Sequence, residues 1–284
     1  MPGLKYRAVF ISDTHLGLRA AKSEYLLDFL RHIDCDTLYL VGDIVDGWKL
    51  KAGRWYWPAV NNDIIRLVTQ KARHGTRVIY VPGNHDEALR GHLNIEVAGI
   101  SMVGEAIHTT VGGRRFLVLH GDEFDAVVMH NKWLAYLGSW AYDGLLWLNR
   151  WFNLVRRKLG FGYWSLSAYL KHQVKEAVKY IGNFESAMVM AARERGVQGI
   201  ICGHIHHAVI SDFDGLTYAN CGDWVESCTA LAEDTQGQLR LIHWVDESAL
   251  LLDSEVSPDH ADSDTDRCLA SSGQRGRPDP CQYH

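Results

Sequence analysis

Short apolar runs that stop abruptly at polar residues dominate this chain. Residues 6–11 run into Ser12-Asp13-Thr14-His15, residues 38–41 into Gly42-Asp43, and residues 77–81 into Pro82-Gly83-Asn84-His85-Asp86. The run at 38–41 lacks the alternation of a half-exposed strand, and a continuous apolar run is what a strand covered on both faces of a sheet requires. Between the runs the period changes. Tyr25, Leu26, Phe29, Leu30 and Ile33 recur at helical spacing and predict a helix over 23–33 capped by Ser23. Ile64, Ile65, Val68 and Ala72 predict a second over 61–73, ended by His74-Gly75. A strand, helix, strand, helix, strand order implies parallel strands with right-handed crossovers, an α/β class with α+β character in detail.

Past Asp86 the runs shorten and glycines separate them. Strands are expected at 100–103, 107–111 and 115–119, with Gly112-Gly113 as a hairpin signal and His120-Gly121-Asp122 after the last. The sheet pattern resumes at 199–202, before Gly203-His204-Ile205-His206, and continues at 209–213, 216–219, 229–232 and 239–244. Residues 126–179 read as helical. From 246 onward Ser, Asp, Pro, Gly and Arg predict a disordered tail over 246–284.

Composition narrows the class without deciding it. A chain of 284 residues, 47% hydrophobic and 22% charged, is globular and long enough for one large domain with an insertion. Its net charge of -5 gives no electrostatic reason to bind nucleic acid. The six cysteines form no Cys-x-x-Cys pair and read as reduced cytosolic thiols. A strand expected almost at the start leaves no room for a signal peptide, and the apolar stretch 133–148 is too interrupted to span a bilayer. The expectation is a cytoplasmic protein, soluble or peripheral on the inner face of the membrane.

The polar residues after the strands change the picture most. Asp13 and His15, Asp43, Asn84 and His85, His120, and His204 and His206 all follow predicted strands at the same end. Parallel strands side by side gather those ends into one cleft. Imidazoles suit zinc, iron, nickel or copper, and carboxylates suit manganese or magnesium, so the mixed set fits a pair of first-row transition metals. Asp-x-His or a lone His arises by chance, but five such elements at strand ends are a joint pattern.

That pattern resembles the calcineurin-like metallophosphoesterase superfamily over roughly residues 6–244. The motifs are Asp13-Thr14-His15, Gly42-Asp43-Ile44-Val45-Asp46, Gly83-Asn84-His85-Asp86, His120 and Gly203-His204-Ile205-His206. The resemblance implies a β-sandwich flanked by helices, with a core of 1–125 and 181–245 and a helical lid inserted at 126–180. It implies two divalent ions, manganese first and iron or zinc among the others. Asp13, His15 and His206 would hold one, Asn84, His120 and His204 the other, and Asp43 would bridge them. It also implies hydrolysis of a phosphoester or pyrophosphate bond by water activated between the ions, with His85 as a catalytic donor to the phosphoryl or leaving oxygen. Asp46 would orient His85 from behind; the residue type alone allows equally a turn-stabilising carboxylate.

Within the insertion, Trp133, Leu137, Trp140, Gly144, Trp147, Trp151 and Leu154 follow a helical stripe. Residues 126–179 carry eight Lys or Arg against Asp143 and Glu176, a local charge of +6. Such a lid suits acyl chains below an anionic headgroup, with Lys132, Arg156 and Arg157, besides Asn84, as candidate substrate-binding residues and a possible contact with the membrane surface. With this insertion the chain is most similar to the UDP-2,3-diacylglucosamine hydrolase branch, which implies a lipid-linked or nucleotide-linked phosphate substrate. The hydrolases of that branch carry Arg where this chain has His85, which leaves open a paralogue acting on another phospholipid or phosphodiester.

Overall fold

The computed structural model describes residues 4–125 and 166–248, the side chains of the second stretch from 177 onward. The first three apolar runs become β1 (Leu4–Ile11), β2 (Ile33–Val41) and β3 (Arg77–Val81), paired in parallel with Phe10 opposite Tyr39 and Leu40 opposite Tyr80. There follow β4 (Ile95–Val97), β5 (Ile100–Met102), β6 (Ala106–Thr109), β7 (Arg115–Val118) and β8 (Gly199–Cys202). The last are β9 (Val209–Phe213), β10 (Leu216–Asn220), β11 (Thr229–Glu233) and β12 (Leu239–His243). They form a seven-stranded sheet of order β12-β11-β1-β2-β3-β5-β4 and a five-stranded sheet of order β6-β7-β8-β10-β9. Both are mixed, and in each the central strands run parallel.

Alternate residues of the central strands face inward between the sheets. Phe10, Tyr39, Val41, Ile79 and Val81 from one sheet meet Phe116, Val118, Ile201 and Ala219 from the other, all fully or almost fully buried. The outer face of the seven-stranded sheet is covered by α1 (Ser23–His32) and α3 (Ala59–Arg73), through Leu26, Leu30, Ile64 and Val68. The five-stranded sheet is covered by α4 (Leu166–Glu194), whose Phe184, Met188 and Ala192 pack on Leu117, Ile200 and Tyr218. These strands are therefore buried on both faces, which is why their sequences read as continuous apolar runs. The expected sandwich flanked by helices is the fold observed. All of this lies in a unit spanning Met1–Val245, distinct from Asp246–His284.

Some local expectations change. Ser23 does not cap α1: it is the first helical residue and is buried, while Lys22 occupies the cap position without a side-chain bond. The backbone N–H of Lys22 donates to Trp224 O at 2.7 Å, so a tertiary contact fixes the helix entry where a cap was expected. Strand β2 starts at Ile33, inside the segment expected to be helical, because Ile33 and Cys35 are buried while Asp34 and Asp36 face outward. That alternation escapes a search for continuous apolar runs. Neither β4 nor the short α2 (Gly47–Lys51) was expected. The boundary expected at 180 falls inside α4, which runs on to Glu194. Most of the expected lid, with its tryptophan stripe, and the tail beyond 248 lie outside the described residues.

Gly42 sets the exit of β2. Its φ is +75°, and a Cβ added there would stand 2.2 Å from His120 Nδ1. Gly42→Ala combines a strained backbone with overpacking, and the expected cost is about 2 kcal/mol or more. Thermal unfolding of the metal-free protein reads it, and an unchanged midpoint contradicts the close approach.

Candidate metal centre

Every polar motif stands where its strand ends. Asp13 and His15 follow β1, Asp43 follows β2, Asn84 and His85 follow β3, His120 follows β7, and His204 and His206 follow β8. The loops are held by bonds between neighbouring strand ends: Asp13 N–H donates to Gly42 O (3.1 Å), His15 N–H to Asp43 O (2.9 Å), and Gly203 N–H to His120 O (3.1 Å). Asp13, His15, Asp43, His204 and His206 all have φ between 46° and 72°. Left-handed backbone at five non-glycine residues is costly and concentrates where side chains must be aimed against local preference.

The two buried aspartates are divided the same way. In Asp43, Oδ1 accepts the backbone N–H of His85 at 2.8 Å, which leaves Oδ2 facing His120 Nε2 at 3.4 Å and the Nε2 atoms of His15 and His85 at 3.9 Å each. In Asp13, Oδ2 accepts the N–H of His204 at 2.9 Å, and Oδ1 faces His206 Nε2 at 3.1 Å and His15 Nε2 at 3.9 Å. Each carboxylate is anchored through one oxygen and presents the other to imidazoles. Among the described residues three groups able to hold a cation result: Asp13, His15 and His206; His15, Asp43 and His85; and Asp43, His120 and His204. Asp43 and His15 each belong to two of them.

The buried charges at the site compensate one another through protons on its histidines. Burial opposes charge on His120, yet the Asp43 carboxylate, with Asp13 behind it, holds the imidazole up to about 10. Burial likewise opposes charge on His206, and its bond with Asp13 lifts it to about 8. For Asp13 burial pushes upward, but His206, His120 and His15 outweigh it and leave the carboxyl well below its ordinary range. His15, where burial wins over both aspartates, falls to about 4, and burial with the nearby His120 charge brings His204 to about 4. Two buried carboxylates are thus neutralised by protons on histidines, a role that cations fill.

The donors fit cations. The buried Asn84 Oδ1 and His120 Nε2 have no hydrogen-bond partner among the described residues. His120 Nδ1 lies 3.0 Å from Val41 O, a bond that fixes a proton on that nitrogen and turns Nε2 toward Asp43. The Nε2 atoms of His15 and His206 lie only 3.3 Å apart, tolerable only with a proton or a cation between their lone pairs. Imidazole, carboxylate and amide oxygen together form a donor set for divalent first-row metals.

A family model described as calcineurin-like phosphoesterase matches residues 6–208. The chain belongs to that family. Like the family it is a metal-dependent phosphoester hydrolase, and its site implies divalent metal ions. Among curated relatives, a UDP-2,3-diacylglucosamine hydrolase of Aliivibrio fischeri is 26% identical over 76% of this chain and 90% of its own length. A protein of the same name from Pseudomonas entomophila is 28% identical over 81% of this chain and 95% of its own. A solved archaeal phosphodiesterase is 13% identical over 83% of this chain and 98% of its own, with a TM-score of 0.38.

Asp46 Oδ1 lies 3.3 Å from His85 Nδ1 and also accepts the N–H of Lys49 at 2.9 Å, so the carboxylate both faces the imidazole and caps α2. Lys132, Arg156 and Arg157 lie outside the described residues. Three supporting carboxylates escaped sequence reasoning. Asp86 accepts from Ile44 N–H (2.9 Å), Gly83 N–H and Tyr80 O–H, clamping the β2 and β3 loops together. Asp125 Oδ1 lies 2.9 Å from His204 Nε2 and accepts from Tyr180 O–H at 2.9 Å, which ties α4 to the site. Asp223 accepts three consecutive N–H groups, from Val225, Glu226 and Ser227. Asp86, as the last residue of Gly-Asn-His-Asp, had a visible signal, and the Asp223 turn is local, with partners two to four residues on; only Asp125 meets its partners, His204 and Tyr180, through tertiary structure.

A metal ion takes neutral imidazole, so His120 and His206 must shed protons when it binds. Because both are charged below their raised pKa values, affinity for Mn2+ should rise with pH between 6 and 8, about tenfold per unit for each proton displaced. Calorimetric titration in buffers of different ionisation enthalpy reads the protons released, and a pH-independent affinity contradicts this account.

Proposed function

We propose that this phosphoesterase cleaves the pyrophosphate of a nucleotide-linked lipid, UDP-2,3-diacylglucosamine or a close relative of it. The observation that supports the chemistry is Asp43, which joins His15 and His85 in one cation-holding group and His120 and His204 in another, with its Oδ2 3.9 Å from His15 Nε2 and 3.4 Å from His120 Nε2. The substrate class rests on the relatives' name and on their coverage along nearly their whole length. Asp13, His15 and His206 would hold one divalent ion, Asn84, His120 and His204 a second, with Asp43 between them. When bound, such ions lower the pKa of water and draw charge off phosphoryl oxygens.

The chain's own residues do the rest. The hydrogen bonds from His85 N–H and His204 N–H prevent Asp43 and Asp13 from rotating away, so the cleft stays preorganised. His85, partly exposed above the buried aspartates, turns Nδ1 to Asp46 and leaves Nε2 to donate a proton to the phosphoryl or leaving oxygen. Water adds at phosphorus, the P–O–P bridge breaks, and UMP leaves a lipid 1-phosphate. We assign the tryptophan-rich basic stretch 126–180, with Lys132, Arg156 and Arg157, to acyl chains and headgroup at a membrane surface. A second reading, a different phosphodiester substrate, is favoured by His85 alone, since Arg is the residue of the resembled branch.

Purified protein with Mn2+ should convert UDP-2,3-diacylglucosamine to UMP and 2,3-diacylglucosamine 1-phosphate, followed by mass spectrometry. His85→Ala should lower turnover about 100-fold or more at unchanged metal content. Cleavage of simple aryl phosphodiesters without those products would remove the lipid substrate and leave the hydrolase. Full activity of His85→Ala would remove the assigned donor.

A further inference from the structure

The short helix α2 exposes every one of its residues to some degree, Trp48 included at 37%, so hydrophobic burial does not explain its place. It is instead stitched to the loop that carries His85. Gly47 N–H donates to His85 O at 3.0 Å, and Lys51 Nζ pairs with Glu87 Oε1 at 3.0 Å. Between these ties the Trp48 indole lies flat on the His85 imidazole, with centroids 3.9 Å apart and planes 27° apart. The His15 ring meets the same imidazole edge-on at 4.5 Å, and Asp46 Oδ1 faces its Nδ1 at 3.3 Å.

These contacts restrict different motions. A carboxylate beside Nδ1 sets which nitrogen points away, but a torsion to a planar ring is broad, and one polar contact leaves the ring free to tilt about it. A stacked indole limits that tilt. We infer that Trp48 is a positioning residue for hydrolysis, fixing the plane of His85 so that Nε2 is presented to the reacting phosphate. The inference rests on the role proposed above for His85. It also gives α2 a purpose: Asp46 caps the helix and faces His85 with the same oxygen, so one helical turn delivers both constraints.

The test compares Trp48→Ala, Trp48→Phe, His85→Ala and the double variant with the unaltered protein, all loaded with Mn2+, on bis(4-nitrophenyl) phosphate and on UDP-2,3-diacylglucosamine. Trp48→Ala should lower kcat about tenfold with KM and metal stoichiometry nearly unchanged, and Trp48→Phe should restore most of the loss. In the His85→Ala background, removing the indole should cost nothing further. In zinc-loaded protein the His85 ring-proton resonances should move when the indole is removed, which reads the stacking apart from turnover. An equal fractional loss with and without His85, or unshifted resonances, overturns the inference. Loss of activity in His85→Ala with full activity in Trp48→Ala overturns it alone, whereas full activity in His85→Ala overturns the donor role and this inference together.

Discussion

Asp43 is the constraint on which the site depends. It is almost fully buried, has a left-handed backbone, and is fixed through one oxygen by the His85 N–H. Its other oxygen stands within 4 Å of three imidazoles drawn from loops after β1, β3 and β7. A buried carboxylate without compensating positive charge is costly, and Asp13 doubles the burden a few ångströms away. In the metal-free chain His120 and His206 meet it by holding protons. The same geometry that makes the cleft proton-hungry makes it a receptor for cations.

The fold answers to this demand. Two sheets packed face to face bring strand ends from both to one rim, so that β1, β2 and β3 supply three motifs while β7 and β8 supply two. A supporting layer holds the loops in their strained conformations. Asp86 clamps two of them, and Asn220 donates to Gly203 O at 2.7 Å and accepts from Gly222 N–H at 2.9 Å behind the His204 loop. Through Asp125 and Tyr180 this layer reaches α4. Fixed polar groups around a dry, charged centre are what transition-state stabilisation requires, since they need no reorganisation when charge develops.

Much of this was legible in the sequence because burial on both faces leaves a one-dimensional trace. The runs at 77–81, 199–202 and 209–213 match β3, β8 and β9 at both ends. Chemistry at strand ends is also local, so the motifs and their shared rim could be read before any contact was known. What sequence could not carry was pairing between distant residues. The Ser23 cap failed because Trp224, some two hundred positions away, anchors the helix entry. The early start of β2 was hidden by a half-exposed alternation, and α2 is too short to show a period. Trp48 looked like one tryptophan among ten until its indole was seen against His85. Asp46 could not be divided between capping and orienting from its type; in the structure the oxygen that caps α2 also lies 3.3 Å from His85 Nδ1.

Anomalous diffraction from crystals of the full chain grown with manganese decides whether Asp43 stands between two cations. Two peaks are expected, one beside Asp13, His15 and His206 and one beside Asn84, His120 and His204, with Asp43 Oδ2 between them. A single peak, or manganese bound away from Asp43, would contradict this arrangement.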